Sequence, residues 1–289
     1  MRARRTASGP LLGAHQSIAG GLHCALERAR TAGCEAVQIF TRSARQWASR
    51  PLPEGEVRAF VAARLASGIR AVLAHDCYLF NLAAPVAALR ERSVRELIAE
   101  LERCERLGIP YLVTHPGAHC GAGEDEGVRL ATRSLGEVLA ACRGFSATIA
   151  LENTAGQGTQ LGWRFEQLAR LCAETRDGDR LRLCLDTEHA FAAGHELRSA
   201  AGYAAMIDLL GATVGLGRVV AFHLNDARCE LGGRLDRHEH IGRGRLGLAA
   251  FRRLLRDPRF AGLPMCIETP KGRDLAEDRR NLAVLRSLL

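Results

Sequence analysis

Asp236 and His238 stand two residues apart near the end of VVAFHLNDARCELGGRLDRHEH, residues 219–240. Side chains alternate along an extended segment, so this pair would face one way. The same stretch opens as a short apolar strand, Val219 to Phe222, that stops on His223. Carboxylates and imidazoles after a buried strand make poor core material. They make chemical sense around a divalent cation, to which Asp offers oxygen and neutral His offers nitrogen. A solvated loop with incidental histidines is the competing reading of this stretch taken by itself.

The rest of the chain supplies the elements that would position such a pair. Apolar runs that read as strands lie at Leu11–Ala14, Ala36–Phe40, Ala71–Ala74, Tyr111–Thr114, Thr148–Leu151, Leu181–Leu185, Val219–Phe222 and Pro264–Ile267. Amphipathic stretches that read as helices lie at Gly21–Ala32, Glu54–Ala66, Ala88–Leu107, Glu126–Cys142, Phe165–Glu174, Ala200–Leu210, Leu248–Leu255 and Leu275–Leu288. Runs apolar on both faces indicate parallel strands. Eight β-α units predict an α/β fold, a single-domain (β/α)8 TIM barrel over residues 1–289, with 1–8 as a flexible extension. An open doubly wound sheet competes, but no glycine-rich nucleotide fingerprint follows the first strand.

Barrel sites lie at the C-terminal ends of the strands. There the sequence sets His15, the Thr41–Trp47 loop, His75-Asp76, His115, Glu152-Asn153, Asp186 with His189, His223, and Glu268. Without cations, so many imidazoles and carboxylates in one funnel would repel or stay unsatisfied. The donors are nitrogen and oxygen without thiolate, which suits zinc, with manganese or iron as alternatives. Their number exceeds what one tetrahedral ion uses, so two or three ions are expected.

Composition narrows the setting. The ten cysteines include no CxxC pair and sit mostly in apolar segments, Cys104, Cys142, Cys184 and Cys266 among them. They read as buried thiols of a reducing compartment, not as a disulfide or zinc framework. No apolar run reaches the ~20 residues of a membrane span, and no signal-peptide core follows the basic start, so a cytoplasmic protein is expected. The net charge is +8 and Lys271 is the only lysine. The positive charge is almost all guanidinium, which suits bidentate contact with phosphate, although a G- and C-rich genome would also inflate arginine.

The segments GAHQSIAGGL, RQW, HDCYLFNLAAP, HPGAH, LENTAGQG, LDTEHAFAAG, FHLNDA, DRHEHIG and IET follow one another from Gly13 almost to the last helix. In this order they resemble endonuclease IV, the zinc-dependent AP endonuclease family of base-excision repair. The resemblance implies three zinc ions, with manganese or iron an alternative at one position. His75 and His115 would hold the first. Glu152 would bridge it to a second, held also by Asp186, His223 and Glu268. His189, Asp236 and His238 would hold the third. It further implies hydrolysis 5′ to an abasic site in double-stranded DNA by a metal-bridged hydroxide, since a bound water's pKa falls to ~7. The products would be a 3′-hydroxyl and a 5′-deoxyribose phosphate, and trimming of blocked 3′ ends is expected too. Glu152 and Glu268 are ligands first, with proton handling as a further catalytic role.

The family's lesion-probing loops match Arg45 and Gln46 in RQW and Tyr78-Leu79 in HDCYLFNL. Tyr78-Leu79 would wedge into the gap left by the missing base, and a baseless nucleotide flips at little stacking cost. Core packing for Tyr78-Leu79 and a surface role for Arg45 are the plain alternatives. Asn225, Asn153 and His15 would orient ligands or merely cap strand ends, and His119 and His240 are not expected to be ligands. The chain departs from common relatives at Arg42-Ser-Ala44, Cys77, Arg243 and Glu188, of which Glu188 adds a carboxylate beside the cluster. A related-barrel sugar isomerase or epimerase would need fewer histidines and no basic rim. A non-catalytic zinc and DNA-binding protein would bind abasic DNA without cutting it. A monomer is expected.

Overall fold

A computed structural model describes residues 9–47 and 50–289. The expected N-terminal extension, residues 1–8, lies outside the described residues. The strands are β1 Leu11–Gln16, β2 Ala36–Phe40, β3 Ala71–His75, β4 Tyr111–Thr114, β5 Thr148–Glu152, β6 Arg182–Asp186, β7 Val219–His223, β8 Asp226–Ala227, β9 His238–Glu239 and β10 Pro264–Ile267. The helices are α1 Leu22–Ala32, α2 Glu54–Ser67, α3 Ala87–Leu107, α4 Glu124–Ala141, α5 Phe165–Glu174, α6 Thr187–Ala192, α7 Ala200–Thr213, α8 Leu248–Leu255 and α9 Ala276–Arg286. Eight parallel strands close a barrel in the order β1-β10-β7-β6-β5-β4-β3-β2, and β8 pairs antiparallel with β9 as a separate hairpin. The fold is the expected TIM barrel. Strand boundaries match the sequence reading to within two residues, the largest shift being β1, which runs on to Gln16.

Period-two alternation explains what fills the barrel. One residue from each barrel strand forms an apolar plug: Leu11, Ala36, Leu73, Val113, Ala150, Cys184, Ala221 and Cys266. The alternate residues, such as Leu12, Val37, Leu112, Ile149, Leu183, Phe222 and Met265, point outward into a larger core under the helices. Helix α1 shows how that core is built. Leu22, Ala25, Leu26, Ala29 and Ala32 are buried at helical spacing, and Gly33 ends the helix at φ 78°. Each such large apolar side chain contributes about 1.5–3 kcal/mol on burial. Gly13 lets β1 and β2 meet, because a Cβ there would lie 1.9 Å from the Ala36 carbonyl oxygen.

At the β1–α9 edge, Asp278 is fully buried. It accepts from Gln16 Nε2 at 2.7 Å and from Lys271 Nζ at 3.0 Å, and Lys271 also donates to the His15 carbonyl.

Candidate metal centre

Two residues beyond seven of the plug positions lie Gln38, His75, His115, Glu152, Asp186, His223 and Glu268. The alternation that puts apolar side chains inside the barrel turns these inward one layer higher, at the C-terminal ends of the strands. The two layers separate stability from chemistry within eight short strands.

Glu152 is the hub, almost fully buried. Its Oε2 lies 3.1 Å from Nε2 of both His75 and His115. Its Oε1 lies 2.7 Å from Nδ1 of His223 and 3.3 Å from Nδ1 of His189. His223 Nδ1 also lies 3.2 Å from Glu268 and 3.8 Å from Asp186. Nε2 of His189 and of His238 lie 3.4 and 3.5 Å from the two Asp236 oxygens. The donor atoms form three groups able to hold a cation: His75, His115 and Glu152; Glu152, Asp186, His223 and Glu268; and Asp186, Glu188, His189 and His238, each within 4.8 Å. All nine expected ligands converge. Asp236 stands beside the third group by its contacts with His189 and His238, while Glu188 and Asp186 fall inside it.

Neighbouring groups fix which nitrogen faces inward. His223 Nε2 bonds Gln38 Oε1 at 2.7 Å, which leaves Nδ1 for the site. His75 Nδ1 meets the Asp76 carbonyl at 3.1 Å and His238 Nδ1 meets the Glu268 carbonyl at 3.3 Å, which turn Nε2 of each into the site. His189 Nδ1 meets the Asn153 carbonyl at 2.8 Å. Such partners set tautomer and ring orientation at metal sites. Nε2 of His115 and of His238 are buried without a hydrogen bond, although His115 is within distance of Glu152. Orphaned imidazole nitrogens aimed at carboxylates are what a cation would satisfy.

Electrostatics agree. Burial opposes charge on His75, but Asp76 and Glu152 outweigh it and hold its pKa well above the usual 6.5. Burial likewise opposes charge on His189 and His223. Asp186 and Asp236 outweigh it for His189, and Cys184 and Glu152 outweigh it for His223, so both stand well above 6.5. Burial pushes the carboxyls up, yet His223 and His115 hold Glu152, and His223 and His15 hold Glu268, well below the usual range. Asp236 is held at about 2 against burial, chiefly by His189. Glu188 goes the other way, raised to about 7 by burial.

Asn225 orients two carboxylates: it donates to Asp186 Oδ2 at 2.6 Å and accepts from the Glu268 N–H at 2.8 Å. Asn153 instead ties β5 to β6 through the Asp186 backbone. Asp186 caps the six-residue helix α6 by accepting from the His189 N–H at 2.9 Å, which fixes His189 relative to β6. His15 bonds Gln38 at 3.1 Å, whereas His119 accepts from the Gly123 N–H within its own loop and His240 pairs with Asn281 of α9. Sequence reading missed Gln38, which also donates to Glu268 at 2.7 Å. The signal was there, a lone polar residue in the apolar strand AVQIF. It also missed Gln157, which accepts from the Asp236 N–H at 3.0 Å and anchors the loop.

Above the donors opens a cavity of about 430 Å³ lined by His75, His115, Glu152, His189, Asp236, His238 and Glu268, with Tyr78, Arg228, Arg237 and Pro270 at its sides. Tyr78 is 67% exposed and packs edge-on to Phe40 at 5.3 Å. Arg45 and Gln46 are exposed on the loop after β2 and Leu79 is half-buried; none of the three lines this cavity. That loop is tied to the one after β3 by the Cys77 thiol, which donates to the Ala44 carbonyl at 2.9 Å.

A barrel of this topology with clustered His, Asp and Glu donors at its mouth defines a class, and a family model described as a xylose isomerase-like TIM barrel matches residues 26–288. The chain is 52% identical over 280 residues to probable endonuclease 4 of Chloroflexus aggregans, covering 97% of this chain and 98% of that one. Its fold superposes on the crystal structure of endonuclease IV from Thermus thermophilus with a TM-score of 0.84 at 39% identity, covering 96% and 98% of the two chains. The chain belongs to the endonuclease IV family. A D-tagatose 3-epimerase-like protein, at 19% identity and a TM-score of 0.74 over 96% and 99% of the chains, shares the fold alone.

Proposed function

We propose that the protein is a DNA-repair nuclease that hydrolyses the phosphodiester 5′ to an abasic site in duplex DNA. The products are a 3′-hydroxyl and a 5′-deoxyribose phosphate, and blocked 3′ ends are trimmed by the same chemistry. The observation that carries this reading is the convergence of nine nitrogen and oxygen donors under one open cavity in a chain of the endonuclease IV family.

The donor set fits three zinc ions: no thiolate takes part, and two buried imidazole nitrogens await a partner. His75, His115 and Glu152 would hold one, Glu152, Asp186, His223 and Glu268 a second, and His189, Asp236 and His238 a third, with manganese or iron an alternative at one position. Bound there, divalent ions would activate water at neutral pH and neutralise charge on the phosphate oxygens. Glu152 and Glu268 would hold the ions, and proton handling is a further role assigned to them. Gln38 and Asn225 keep their ligands aimed. Arg228 and Arg237, exposed beside the cavity, receive the phosphates on either side of the lesion. Tyr78, followed by Leu79, fills the space of the missing base, and Arg45 and Gln46 contact the strands from the neighbouring loop. The substrate is double-stranded DNA, and the protein works as a cytoplasmic monomer. Among the described residues no helix is long and apolar enough to cross a membrane.

The test is a nicking assay on duplex DNA with one synthetic abasic site, using chelator-free protein with Glu152→Gln in parallel. Cleavage 5′ to the site, leaving a 3′-hydroxyl and reduced roughly 10²–10³-fold in the variant, is the expected result. Uncut DNA with metal-replete protein would overturn the proposal.

A further inference from the structure

Glu188 carries a feature that the nine-ligand set does not use. It sits on α6 between Asp186 and His189 and is fully buried. One oxygen, Oε1, accepts from the Arg237 N–H at 3.1 Å and lies 3.8 Å from the Cys229 thiol. The other, Oε2, has no hydrogen-bond partner. Its nearest imidazole nitrogen is His189 Nε2 at 3.9 Å, too far for a hydrogen bond. His238 Nε2, in the same group, is also without a partner. The donors of Asp186, Glu188, His189 and His238 lie within 4.8 Å of one another.

Asp186 is already engaged, with Oδ1 on the His189 N–H and Oδ2 on Asn225 and turned toward the second group, 3.8 Å from His223 Nδ1. Glu188 Oε2 is therefore the free oxygen of the group. Leaving a carboxylate oxygen buried and unpaired is costly. Two ligands that each stand ~2.0–2.2 Å from one ion lie roughly 3–4 Å apart, which matches the gap between Oε2 and His189 Nε2.

We infer that Glu188 supplies a further ligand, through Oε2, to the ion held by His189, Asp236 and His238. This inference rests on the proposed metal-binding reading of the site. An added carboxylate makes the position richer in oxygen, so it should accept manganese more readily than a His2Asp set would. Oε1 remains on the Arg237 N–H, so the same side chain couples the ion to the loop that carries Asp236 and His238.

The test is competition for zinc and for manganese against a chromophoric chelator, with the wild-type protein and Glu188→Gln, which keeps the volume. Three bound ions in the wild type, with one of them held about tenfold or more weakly in the variant and the other two unchanged, is expected. The loss should be larger for manganese than for zinc. Three ions bound equally tightly by both proteins would overturn the role of Glu188 and leave the metal reading standing. A wild type that binds no ions would overturn the metal reading itself, and this inference with it. Should the variant not fold, anomalous diffraction from metal-loaded wild-type crystals reads the contact directly. Oε2 at ~2.0–2.2 Å from the third ion supports the assignment, and Oε2 turned toward Cys229 overturns it.

Discussion

Glu152 meets four imidazoles, and each of His75, His189 and His223 is held by a different partner as well. The aim of the donors is therefore set by groups outside the donor set. Gln38 is the clearest of them, because its oxygen fixes His223 and its nitrogen fixes Glu268. Gln38→Leu keeps the bulk and removes both bonds. It should lower metal affinity or nicking by about 10–100-fold while the fold is retained, read by chelator titration beside circular dichroism. The raised imidazoles give a second expectation, with a definite sign. The acidic neighbours favour the protonated forms of His75, His189 and His223 in the ion-free protein, and an arriving ion must displace those protons. Calorimetry in buffers of different ionisation enthalpy should show protons released on zinc binding at pH 7, with affinity falling as the pH is lowered. Zinc uptake without proton release would contradict the pairing described. Without ions the sign for stability reverses. The imidazolium contribution is complete below about 6.5 and is lost as pH rises through the raised values. The Asp236 contribution is complete above the usual 3.8 and is lost as pH falls toward about 2.

At the scale of elements, the third group depends on parts that are not barrel strands. His189 comes from α6 and His238 from the β8–β9 hairpin, which Asp226 organises. Its carboxylate accepts from the N–H groups of Ala227, Gly242, Gly244 and Leu246. Gly244 is needed for that closure, since a Cβ there would lie 2.4 Å from the Ala227 carbonyl oxygen. Asp226→Ala strands those donors at a cost of about 1–3 kcal/mol or more. It should release the ion near His238 before the other two, seen as one weakened site of three in a chelator titration. These small parts are also where the sequence was silent. The barrel strands announce themselves by four to six apolar residues between turn signals, and eight of them in register with histidines and acids at their ends imply the funnel. A six-residue helix inside LDTEHAFAAG and strands of two residues show no period. They form because Asp186 and Asp226 cap them, which depends on side-chain bonds that periodicity does not report. Gln38 was visible as a lone polar residue, but its two partners lie 185 and 230 positions away in the chain.

The whole molecule combines a closed barrel, an apolar plug below the donors and a surface whose positive charge is nearly all arginine. Guanidinium groups draw a polyanion in without reacting with it. The single lysine adds a consequence of its own. An abasic sugar opens to an aldehyde, which condenses with free amines to a Schiff base and so leads to strand scission by elimination. Lys271, the one side-chain amine in the chain, is occupied by the buried Asp278 carboxylate and the His15 carbonyl, and it does not line the cavity above the donors. Borohydride added during turnover should therefore trap no lysine adduct with abasic DNA, and a covalent band on a denaturing gel that maps to Lys271 would contradict this. On the proposed abasic substrate, a surface built almost without amines would hold an aldehyde-bearing strand without capturing it covalently.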